Sequence, residues 1–206
     1  VQASRAEIES DDLNKLVLVT DLDARAIAVL RAYTRYFRQL GFGFSQNYIE
    51  ATLHKNAGLT QLLSALFDAR FNPELQQDRQ AACQTLLKQI ETALGAVASL
   101  EEDRILRQYC GAIQATSRTN LWQRDAQGAC KPYMSFKFDP HAMPGVPDPK
   151  PMFEIWVYSP RTEGVHLRNG KAARGGIRWS DRREDFRTEI LGLVKAQHVK
   201  NTVIVP

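Results

Sequence analysis

Apolar residues recur every three or four positions between Asp21 and Leu40, at Ile27, Leu30, Tyr33, Phe37 and Leu40, and Gly41 closes the run. That period gathers them on one face of a helix. In "FSQNYIEATLHKN" Ser45 offers a cap, and Tyr48, Ile49 and Leu53 share a face. "LTQLLSALFDARF" repeats the rhythm before the break at Asn72-Pro73, so two more helices are predicted. Residues 74–96 carry Leu86, Leu87, Ile90 and Leu94 in the same period, with Val97 just beyond. "SLEE" has a capping-box spacing, Ser99 with Glu102 three residues on, and predicts a helix running towards Ser117. Residues 1–118 therefore read as mainly helical, without a fixed-period repeat.

After "TSRTNLWQRDAQGACKP" the period changes. "YMSFKFD" alternates and "MFEIWVYS" is a short apolar and aromatic run, so both predict strands, while the proline-rich "PHAMPGVPDPKP" between them suits neither element. "GVHLRNGKAARGGIRW" suggests a hairpin turning at "RNGK", "SDRREDFRTEILGLVKAQHVKN" a helix capped by Ser180 or Asp181, and "TVIVP" a further strand. Strand, helix, strand in that order points to α/β architecture. The expected fold is thus α+β/α/β, a helical region at 1–118 followed at 119–206 by the start of an α/β domain.

Composition narrows this only slightly. Hydrophobic residues make up 44% and charged residues 24%, the balance of an ordinary soluble domain. A net charge of +4 permits anionic ligands, but 27 basic residues set against 23 acidic ones give nucleic-acid binding little support. Cys83, Cys110 and Cys130 are odd in number and widely spaced, which indicates neither a disulfide framework nor a zinc site and fits a reducing cytoplasm. The start lacks a signal-peptide pattern, and no apolar window is long enough to cross a bilayer. A sequence ending on an apolar strand is the expectation for an internal piece of a longer polypeptide.

Candidate chemistry gathers near the carboxy-terminal end. Arg174, Gly175 and Gly176 set a fixed cation beside two residues that let a ligand approach the main chain, an arrangement suited to a carboxylate. A turn that merely needs glycine reads equally from the residues. Gln197 and Lys200 lie three apart and share a helix face, offering an amide and an ammonium together, although a lysine also suits a helix C-terminus. The mixed charges of "SDRREDFRTE" read as a salt-bridged surface. His54, His141, His166 and His198 form no metal-ligand spacing, so no metal is expected, and neither G-x-S-x-G nor G-x-G-x-x-G occurs.

The run "ARGGIRWSDRREDFRTEILGLVKAQHVKNTVIVP" closely resembles the large-subunit bacterial NAD-specific glutamate dehydrogenases. The likeness extends more loosely back through "PMFEIWVYSPRTEGVHLRNG", "KPYMSFKFDP" and "RTNLWQ" to the helical "LRAYTRYFRQLGFGFSQNYIE". The resemblance implies oxidative deamination of L-glutamate to 2-oxoglutarate and ammonia with NAD. Arg174, with Gly175 and Gly176, would hold the side-chain carboxylate, and Gln197 with Lys200 the α-carboxylate. Arg174 stands where smaller glutamate dehydrogenases carry a lysine. The resemblance also implies that the catalytic lysine and the nucleotide-binding domain lie beyond Pro206, so the isolated chain would be inactive, and that the protein is a cytoplasmic homo-oligomer with no nucleic-acid or membrane partner. Two other readings stay open from the residues alone: a stand-alone dicarboxylate-binding module and a helical scaffold.

Overall fold

The structure, a computed structural model, describes residues 9–76, 78–170 and 179–203, the side chains of residues 197–203 excepted. After a 3-10 segment at Asp12–Leu18 come five helices: α1 (Ala24–Gln39), α2 (Gln46–Lys55), α3 (Ala57–Phe71), α4 (Arg79–Leu94) and α5 (Leu100–Ala115). Four strands follow, β1 (Thr116–Thr119), β2 (Met134–Phe138), β3 (Phe153–Tyr158) and β4 (Glu163–Arg168), and then α6 (Phe186–Val203).

Local chemistry sets the helix starts. The Asp23 carboxylate accepts from the Ala26 amide at 2.7 Å, Ser45 caps α2 through the Tyr48 amide, and Asp78 accepts from the Gln80 and Ala81 amides. At α5 the Ser99 hydroxyl accepts from the Glu102 amide, but the Glu102 carboxylate turns instead to Lys55 at 2.6 Å and to Asn56. The capping box is therefore half made, and its acid ties α5 to the end of α2.

The strands form one antiparallel meander in the order β1-β2-β3-β4. Among the described residues the mixed architecture is helices against an antiparallel sheet, with no parallel crossover of the kind that the strand, helix, strand order suggested. Thr202 and Val203, expected to open a last strand, continue α6. Neither glycine nor proline interrupts the helix there, and β-branched residues lower helix propensity by only a few tenths of a kcal/mol. Residues 204–206 of that expected strand, and the far arm of the hairpin expected at "RNGK", lie outside the described residues. The described hairpin joins β3 to β4 and turns at Ser159–Thr162, where the two residues exchange backbone hydrogen bonds.

One hydrophobic core joins helices and sheet. α1 runs through its middle: Tyr33 meets Phe67 of α3, Tyr109 of α5, and Phe136 and Phe138 of β2. Tyr36, on the same helix, packs against Phe138 and Trp156. The Tyr33 hydroxyl shares a hydrogen bond with Thr116 at 2.7 Å, and the Trp156 indole donates to the Ala32 carbonyl at 3.0 Å. The polar ends of these two buried rings are thus satisfied. The proline-rich loop after β2 packs on α5 at Gly111, where a Cβ would come within 2.4 Å of Pro144 Cγ.

Candidate functional site

The start of α6 is fixed to the rest of the molecule by a buried ion pair. β3 alternates, so Glu154, Trp156 and Tyr158 point into the core while their neighbours face outward. Glu154 is 0% exposed and meets Arg187, also 0% exposed, in a bidentate pair: Nε donates to one carboxylate oxygen at 2.7 Å and Nη2 to the other at 2.8 Å. Burial works to lower the Arg187 pKa, but the hydrogen bonds and charge of Glu154 outweigh it, so the guanidinium is held above its ordinary value. The residue expected on a salt-bridged surface is therefore an interior anchor. The surface reading holds for Arg182 with Asp185, and for Arg38 of α1 with Glu184.

Three further contacts converge on the same point. The Gln39 side chain, at the end of α1, donates to the Arg183 carbonyl at 2.8 Å and accepts from the Arg187 amide at 3.1 Å. Phe186 stacks on Trp156 with ring centroids 6.0 Å apart. The Tyr36 hydroxyl lies beside the pair, and burial first, then the Glu154 charge, push its pKa well up, so it stays a neutral phenol. Tyr36 Oη and Arg187 Nη1 are buried and have no hydrogen-bond partner among the described residues. The helix itself begins at Phe186 rather than at the Ser180 or Asp181 cap; Ser180 accepts from the Arg182 amide and donates to Glu189 at 2.7 Å, which holds the preceding turn.

Of the residues singled out for carboxylate binding, Gln197 and Lys200 fall on the backbone of α6, within its last two turns. They lie three positions apart and so share one helix side. Arg174, Gly175 and Gly176 lie outside the described residues. Glu154, Gln39 and Arg187 were missed by the sequence reading. The available signal was a lone acid at an inward position of the otherwise apolar strand "MFEIWVYS", which demands a buried cation. Among the described residues no helix is long and apolar enough to cross a membrane.

A sheet with an interior acid that clamps the root of a helix through a buried arginine defines a mixed α/β domain. Comparison with known proteins takes this further. The family described as "Bacterial NAD-glutamate dehydrogenase, catalytic domain" matches residues 89–206, and "Glutamate dehydrogenase, helical motif 3" matches residues 8–73. The chain belongs to the bacterial NAD-glutamate dehydrogenase family. It is 51% identical over 200 residues to the NAD-specific glutamate dehydrogenase of Halomonas elongata and 52% identical over 206 residues to that of Pseudomonas aeruginosa. It is 47% identical over 205 residues to the enzyme of the same name from Mycobacterium tuberculosis. Each comparison covers 97% of this chain, which spans 12% of the length of each relative.

Proposed function

We propose that the chain supplies part of the substrate site of an NAD-dependent glutamate dehydrogenase that oxidatively deaminates L-glutamate to 2-oxoglutarate and ammonia. The observation that carries this reading is the match of residues 89–206 to the catalytic domain of that family. In this proposal Gln197 and Lys200 hold the α-carboxylate, and Arg174, with the open backbone of Gly175 and Gly176, holds the side-chain carboxylate. Glutamate is flexible and carries an anion at each end. Fixing both ends with two separated cations leaves one orientation of the α-hydrogen, which lowers the entropic part of the barrier.

NAD would supply the hydride acceptor. The sheet described here is antiparallel and offers no crevice at a parallel-strand switch point among the described residues, so a dinucleotide site does not fit it. NAD is therefore assigned to other parts of the protein, and this chain's role is to bind and orient glutamate. The Glu154–Arg187 pair serves that role indirectly by holding the root of α6 against β3. The same proposal covers the division into a helical region at 1–118 and the start of a glutamate dehydrogenase-like substrate domain at 119–206, a cytoplasmic location and a homo-oligomeric state.

A substrate survey with the purified protein tests the reading. NADH formation should depend on L-glutamate, and L-norvaline, which keeps the chain length but lacks the second carboxylate, should be turned over at least about a hundredfold less efficiently, as expected when a buried charged partner is left unpaired. Equal turnover of the two, or no glutamate-dependent signal with either NAD or NADP, contradicts it.

A further inference from the structure

The helices pack on one side of the sheet. Tyr33 and Tyr36 of α1 and Phe186 of α6 all meet its inward residues, Phe136 and Trp156. The pleat sends the alternate residues the other way. There the register sets Arg118, Lys137, Ile155 and His166 side by side across the four strands. Next to that row Val157 lies between Ser135 and Gly164, and Phe153 stands opposite Arg168. Phe153 is 37% exposed, Arg118 and His166 are exposed, and Ile155 and Val157 are half-buried.

Among the described residues no outward strand position carries an acid. Glu154 and Glu163, the acids of the strands, point inward to Arg187 and Arg35. Asp139, just past β2, accepts from the His141 amide. Arg118 and Lys137 are direct cross-strand partners, an arrangement of like charges that destabilises a sheet unless something offsets it. The Lys137 ammonium lies 4.0 Å from the centroid of the Phe153 ring, and neither cation has a carboxylate partner among the described residues.

We propose that this side of the sheet docks an acidic, partly apolar segment of the same polypeptide from outside residues 1–206, its carboxylates over Arg118 and Lys137 and its apolar side chains over Phe153, Ile155 and Val157. Such a segment offsets the like-charge pair and covers the apolar positions together. With three inter-strand steps of about 4.8 Å and strands of about 17 Å, the face measures roughly 240 Å² in projection, close to one side of a small inter-domain contact, about 300 Å². That is far below the ~800 Å² a side of a stable complex between separate proteins, so the occupant is tethered rather than a second copy. The inference rests on the reading that the chain is part of a longer dehydrogenase, since it spans 12% of the length of each relative.

The test is zero-length cross-linking of the purified protein with a water-soluble carbodiimide, which joins an amine to a carboxylate in contact with it, followed by mass spectrometry of the digest. Lys137 should be joined to an Asp or Glu outside residues 1–206, and the product should vanish when the protein is unfolded in urea before coupling. Arg118→Gln gives an independent sign: on a bare face it removes a repulsion and raises the melting temperature, whereas beneath an acidic segment it removes an attraction and should lower it by about 2 °C or more. Absence of a Lys137 cross-link other than to the adjacent Asp139, a partner peptide from within residues 1–206, a product that survives urea, or a melting temperature unchanged or raised in Arg118→Gln overturns the proposal. Glutamate-dependent NADH formation is measured on the same samples, so a missing cross-link with that activity intact overturns this inference and leaves the glutamate reading standing.

Discussion

Arg187→Met is the perturbation that most directly probes how α6 is held. Both members of the pair are fully buried, and the two hydrogen bonds at 2.7 and 2.8 Å leave the carboxylate of Glu154 with no other described donor. Removing the guanidinium strands a charge in the core, a change that costs about 3–5 kcal/mol. For a chain of this size each kcal/mol moves the melting temperature by about 2–4 °C, so a fall of roughly 6–20 °C is expected. Arg187→Met combined with Glu154→Leu removes the stranded charge and should recover most of the loss, because an apolar pair of similar volume is often neutral relative to a buried ion pair. Urea unfolding of the wild type, both single variants and the double variant gives the coupling energy. A loss below about 1 kcal/mol in Arg187→Met, or a double variant no better than the worse single one, would refute the reasoning.

Three further outcomes follow from the packing. Gly111→Ala sets a methyl 2.4 Å from the rigid Pro144 ring and should cost about 1–3 kcal/mol by overpacking; an unchanged melting temperature would show that the loop moves aside freely. Gln39→Ala leaves the Arg183 carbonyl and the Arg187 amide without their partner and should cost about 1–3 kcal/mol, read in the same unfolding assay, and Gln39→Glu, which sets a buried carboxylate oxygen against the Arg183 carbonyl, should cost at least as much. Glu50 is buried, and its desolvation, only partly offset by Gln46, raises its pKa above the ordinary carboxylate value. The native state then binds its proton more tightly than the unfolded chain, so its contribution to stability falls as pH rises from the unfolded pKa through the folded one. Glu50→Gln should therefore be the more stable protein at neutral pH and converge with wild type near pH 4, at about the ordinary value; a wild type more stable at neutral pH contradicts this.

Much of the fold was legible because its helices are strongly periodic and well punctuated. The spacing of Ile27, Leu30, Tyr33 and Phe37 matches the buried face of α1, and Ser45 and Ser99 cap the helices they were expected to cap. β2 was equally plain from its alternation and β3 from its short apolar and aromatic run. Two things were hidden. The short strand Thr116–Thr119 continues directly from α5, and its residues carry no apolar alternation; its pairing with β2 is a tertiary fact. The partner of Glu154 could not be picked from among Arg182, Arg183 and Arg187, because the choice depends on where α6 begins and on which turn faces β3. Gln197 and Lys200 share a helix side, as their spacing required, while the surroundings of that side depend on contacts no local pattern encodes.

The central claim, that Lys200 and Arg174 anchor the two carboxylates of glutamate, is tested most directly by the kinetics of glutamate-dependent NADH formation in the protein carrying Lys200→Ala or Arg174→Ala. Loss of one charge-assisted contact of about 1.5–3 kcal/mol predicts a fall in kcat/KM of roughly 10- to 150-fold for each variant, with the Arg174→Ala protein losing its preference for L-glutamate over L-norvaline. Wild-type kcat/KM in Lys200→Ala, or an undiminished preference for glutamate in Arg174→Ala, would contradict the account.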